Sequence, residues 1–210
     1  MPKARHLGYA FLLLVVVAVA GLVIWNLTGA NPHYEIPTLA LFDQPKKPPE
    51  EDQATKAAEL MQTSIDSQHL EKIQAAVREM HKKLNSLTGW DSINFFADQS
   101  TTKWREVEQL SESYGRQIDQ LLPLIADPNL KRDLIAFRDL LEVAAEEKLE
   151  VALRYAHRVI HDLDYWVFNT ETFSGGTRDY WAATITLEKK ETRYHKWLQD
   201  RERAAQRIGQ

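Results

Sequence analysis

Near the start of the chain, Tyr9 to Trp25 reads YAFLLLVVVAVAGLVIW without a single charge. Bilayer hydrocarbon is about 30 Å thick, so a spanning helix needs about 20 apolar residues. Leu7 to Leu27 supplies that length with Gly8 and Asn26 at its edges. Lipid offers the backbone no hydrogen-bond partners, so such a segment must be helical. Tyr9 and Trp25 fall at headgroup depth, and Lys3 and Arg5 precede the run. By the positive-inside rule the N-terminus is cytoplasmic and the rest of the chain lies outside the cell membrane, single-pass. The rival reading is a cleaved secretory signal and a secreted protein. Ala18-Val19-Ala20 and Thr28-Gly29-Ala30 resemble cleavage sites. Against it, the chain stays apolar through Trp25, beyond the usual signal core of about 7–15 residues.

Residues 28–52 form a linker, which with Asn26 and Leu27 holds Pro32, Pro37, Pro45, Pro48 and Pro49. Proline fixes φ and removes a donor, so this stretch resists helix formation. Residues 53–210 remain, enough for one domain with a real core. The whole chain has a net charge of −4, which argues against nucleic acid, whose binders need a basic footprint. With no cysteine there is no disulfide, thiolate metal site or cysteine nucleophile.

Apolar residues beyond the linker recur at steps of three and four, with no strand pattern. The spacing predicts a helix over 53–87 and a second from about Ser100, kinked or ended by Pro123. Asp127-Pro128 reads as an N-cap followed by proline at the first helical position. It opens a third helix to about Asn169, which unbroken would be about 60 Å long. Gly175-Gly176 breaks the chain before a fourth helix from about Thr177 to Ile208. The expectation is all-α: an N-terminal transmembrane helix at 1–27, the proline-rich linker, and an elongated antiparallel bundle of about four long helices packed like a coiled coil.

Two constellations stand out within this frame. His157, His161 and Asp164 share one face of the third helix and are competent ligands for a divalent transition metal. Counted around the helix, that face lies away from the apolar centre, which favours solvated polar side chains or histidines bonded to neighbouring carboxylates. His195 on the fourth helix is a further possible ligand, depending on how the helices pair. No HExxH pattern is present, since position 158 is Arg. The second constellation is aromatic: Tyr165, Trp166, Phe173, Tyr180 and Trp181 surround Gly175-Gly176. Such rings suit a ligand cradle or a hydrophobic plug at one end of the bundle.

No phosphate loop, nucleophile elbow or complete metal shell is written in the chain, which argues against an enzyme. The expected role is structural, through a protein partner or self-association. The alternative is a ligand- or metal-sensing bundle using one of the two constellations. About eight residues precede the span, so such a sensor would signal through a partner.

Overall fold

The computed structural model describes residues 44–47, 55–56, 59–60, 63–89, 92–168 and 179–208. The expected span over residues 7–27 and most of the linker lie outside them. The described part is all-helical; the one ladder contact among the described residues is an isolated bridge between Ile65 and Ile125. None of its helices is long and apolar enough to cross a membrane.

Helix α1 spans Ser67–Thr88. The expected helix over 53–87 is interrupted at Ile65 and Asp66, and the Asp66 carboxylate accepts from Gln68 N to cap the new start. Its core face is Ile73, Val77, Met80, Leu84 and Leu87. Gly89 ends it in extended geometry, where a Cβ would stand 2.6 Å from the Asn85 carbonyl oxygen. A 3₁₀ turn over Ser92–Ala97 leads to α2, Lys103–Leu121, which buries Trp104, Val107, Tyr114 and Ile118. Pro123 falls in a second 3₁₀ turn, Leu122–Leu124.

Helix α3, Pro128–Glu147, starts where the sequence places it. Asp127 accepts from Leu130 N at 2.8 Å, and Pro128 occupies the first turn. The chain does not continue as one rod to Asn169. Lys148 adopts φ 50, ψ 48, and both its N–H and that of Leu149 bond to Ala144 O. This left-handed cap is usually built on glycine, so a lysine there hides the break from sequence inspection. Helix α4, Glu150–Asp162, then packs against both α3 and α1. A single helix of about 60 Å is replaced by segments of about 30 and 20 Å. A wider π-turn, Leu163–Phe168, follows α4 directly.

The expected helix from Thr177 is also corrected. Asp179 to Thr184 is non-helical, then come a short α5, Ile185–Glu188, and α6, Arg193–Ile208. Two buried carboxylates explain the change. Asp162 accepts from Trp181 N and Ala183 N, and Asp133 accepts from Ile185 N and Thr186 N. Donors taken by side chains from α3 and α4 cannot serve a helix running through this stretch. Lys46 N donates to Tyr180 O, so the end of the linker lies along the same segment.

Candidate functional site

Helices α1 and α4 meet through histidines. His81 of α1 is 3% exposed and sits among His157 and His161 of α4. The ring centroids lie 5.5 Å apart for His81–His157, 5.0 Å for His81–His161 and 6.2 Å for His157–His161. His161 and Asp164 are 8% and 4% exposed. The polar face expected to be solvated is therefore largely buried. The reason is tertiary: α1 lies on it and brings a histidine where an apolar side chain would have faced desolvated imidazoles.

Each imidazole has its Nδ1 beside an oxygen. His81 Nδ1 is 2.7 Å from Asp164 Oδ2, His157 Nδ1 is 2.9 Å from Thr88 Oγ1, and His161 Nδ1 is 3.3 Å from Asp162 Oδ1. Thr88 donates its hydroxyl hydrogen to Leu84 O at 2.9 Å. Its oxygen must then accept from His157, which places the proton on Nδ1 and a lone pair on Nε2. Burial, and after it the charges of His81 and His161, push the His157 imidazole down to about 3. His157 is thus neutral at pH 7. The Nε2 atoms of His81 and His157 are buried with no hydrogen-bond partner. Such atoms usually cost about 1–3 kcal/mol each.

These side chains line a cavity of about 450 Å³ together with Asn85, Thr88, Arg154, Arg158, Tyr165 and Trp181. The Arg158 guanidinium lies 4.0 Å over the Trp181 ring, and Arg154 bonds to Glu150 at 3.0 Å. Trp181 is placed by the Asp162 carboxylate that holds its backbone N–H. Burial pushes the Asp162 carboxyl up, against the pull of the His161 contact and the two backbone donors. Tyr165 packs edge-on to both His81 and His161, at 4.8 and 4.7 Å. The π-turn carries both Asp164 and Tyr165 into the site, a placement common for such turns. A larger cleft, about 740 Å³, runs between α2 and α3. Its walls are surface charges that pair with one another, Arg138 with Asp119 and Arg116 with Glu112, so the buried site carries more chemistry.

The structure thus brings His157, His161 and Asp164 to one place but changes a role. Asp164 faces His81 and orients it. As the side chains stand, no group of three or more His, Cys, Asp or Glu among the described residues could hold a metal ion. His195 does not join the cavity; its Nε2 lies 3.2 Å from Asp133 Oδ1, and its Nδ1 2.8 Å from Thr192 Oγ1. The aromatic set divides. Tyr165 and Trp181 line the histidine cavity, whereas Trp166 and Tyr180 pack edge-to-face at 5.7 Å in a small core with Ala182. Trp166 Nε1 donates to Asp179 O and the Tyr180 hydroxyl to Glu188, so both polar tips are engaged. Phe173 lies outside the described residues.

His81 is the member that sequence reading did not select. A signal existed: it follows Val77 by four and precedes Leu84 by three, so it sits on the core face of α1. A histidine there needs a polar partner from another element. Among known proteins, the chain matches no family model, no curated protein and no solved structure.

Proposed function

We propose that this chain is a membrane-tethered, extracytoplasmic, non-enzymatic helical domain that binds a small ligand in the histidine-lined cavity. In this reading residues 1–27 anchor it, residues 28–52 space it from the bilayer, and an elongated antiparallel packing of the helices presents the cavity. The observation that carries the binding role is the pair of buried, unpartnered Nε2 atoms on His81 and His157 beside a cavity of about 450 Å³. Burial normally selects for satisfied polar groups, so two unsatisfied ones at a cavity wall mark a place for a ligand atom.

A purely scaffolding role is supported less well. The large hydrophobics exposed among the described residues are Leu60 and Phe95, and Lys103 already covers the Phe95 ring at 4.1 Å. Two such residues fall short of the contiguous apolar patch that marks a docking face.

The test is a thermal-shift screen of the full chain in mild detergent against divalent cations, phosphate and small carboxylic acids. A ligand at about 100 times its Kd stabilises by about 2.7 kcal/mol. At least one class should raise Tm in the wild type and fail to do so in His157→Gln and Trp181→Ala. No shift from any class, or shifts indifferent to both substitutions, would overturn the reading.

A further inference from the structure

We infer that the buried histidine cluster is an acid-sensitive clasp: a proton added at His157 Nε2 releases the C-terminal half of α1 from α4. The switch works without any ligand. Three imidazoles meet at this contact, with ring centroids 5.0, 5.5 and 6.2 Å apart. They do not converge on a common point. His81 and His157 stack at 25°, and His161 packs edge-on to both His81 and Tyr165. What they share is an interface, with His81 and Thr88 supplied by α1 and His157 and His161 by α4.

In the closed contact His157 has room for one proton. Its Nδ1–H donates to Thr88 Oγ1, whose own hydrogen goes to Leu84 O. Its Nε2 is buried and has no hydrogen-bond partner. A proton added there makes a cation whose new N–H points at no acceptor. The surroundings do not compensate for it. Helix α4 itself brings Arg154, bonded to Glu150, together with Arg158, His161 and Asp162. The facing groups are His81 of α1, Asp164 and Tyr165 of the π-turn, and Asp179 of the segment before α5. The 3₁₀ turn Ser92–Ala97 brings Ile93 and no ionisable group. Asp164 is bonded to His81, and Asp162 to the N–H groups of Trp181 and Ala183. Arg154 and Arg158 add positive charge to the same cavity. Water-exposed imidazole takes the second proton near pH 6.5. Burial first, then the charges of His81 and His161, hold that of His157 down to about 3.

Below pH 6.5 the open contact therefore binds a proton that the closed contact refuses. Closure is favoured in full above pH 6.5 and loses about tenfold for each unit the pH falls toward 3. Asp162 has the opposite tendency, because burial pushes its carboxyl up. Its backbone donors lie on residues 181 and 183, however, so it keeps them when α1 leaves. The same bonds, with the packing of α3, hold α4 in place, and α1 is the partner that moves.

The test is amide hydrogen exchange of the full chain in mild detergent from pH 7 to about pH 4.5, corrected for the intrinsic pH dependence of exchange. Residues 81–88 should lose protection about tenfold per pH unit below 6.5, about 100-fold in all, while α2 and α3 keep theirs. His157→Gln, which cannot take the proton, should remove most of that slope. Nitrogen-15 NMR of the wild-type histidine rings gives a readout independent of any variant. His157 should stay the neutral Nδ1–H tautomer while residues 81–88 are protected, and become imidazolium only as they open. Protection of 81–88 unchanged down to pH 4.5, equal losses across α2 and α3, or the same slope in His157→Gln would overturn the inference. So would a His157 imidazolium within a contact that is still closed.

Discussion

At the scale of single residues, the fold leans on carboxylates that make no obvious pattern in the sequence. Asp133 is fully buried and accepts from Ile185 N at 2.7 Å and Thr186 N at 2.9 Å. Removing it leaves two buried donors unsatisfied, each worth about 1–3 kcal/mol. Asp133→Ala should therefore lower the urea-unfolding free energy by about 2–5 kcal/mol, and Asp133→Asn, which keeps one acceptor oxygen, by about half as much. Equal, small losses would show that the 185–186 backbone finds other acceptors. Buried tyrosines set the alkaline limit. Tyr114, Tyr180 and Tyr194 have phenols pushed above their ordinary value of 10.0, in each case chiefly by burial. Above pH 10 the unfolded chain releases these protons while the folded chain keeps them. The folded state then binds more protons, so stability is level up to about pH 10 and falls beyond it, by up to about 1.4 kcal/mol per pH unit for each tyrosine. Urea unfolding at pH 9 and pH 11 measures the slope, and Tyr194→Phe should flatten it. Native phenolate absorbance from these tyrosines rising near pH 10, without unfolding, would contradict the account.

At the scale of elements, what could be read was what local chemistry announces. Asp127-Pro128 marked the start of α3 because cap and proline act within one turn. The three-four spacing marked the buried faces of α1 and α2 for the same reason. The breaks at Lys148 and before Ile185 could not be read. One uses a left-handed lysine where glycine is the usual sign, and the other is imposed by Asp133 and Asp162 from distant helices. This difference is itself testable. Lys148→Gly removes the Cβ penalty of φ 50 and should stabilise the protein by about 1 kcal/mol. Asp127→Ala deletes the α3 cap and should destabilise it by about 1 kcal/mol. Both are read as shifts of the urea midpoint at constant slope. A loss on Lys148→Gly would mean that the lysine side chain makes contacts outweighing its backbone strain.

At the scale of the whole molecule, the candidate site was half legible. His157, His161 and Asp164 declare themselves by spacing on one helix. His81 is 76 positions before His157 and belongs to the site only because α1 packs on α4, which no local rule reveals. The proposed tether is the reverse case: it rests on local sequence alone and lies outside the described residues. We propose the span from the apolar length of residues 7–27, and the inside placement of the N-terminus from Lys3 and Arg5. The full chain should therefore stay in the membrane pellet after alkaline carbonate extraction, while protease added to cells with an intact cell membrane should digest residues 53–210. Mass spectrometry of the purified protein should find an N-terminus ahead of Leu7. A mature chain starting after Ala20 or Ala30 would make the run a signal peptide instead. The histidine cavity would then work in a protein free to diffuse, and any signal from its ligand could not pass through a linked helix.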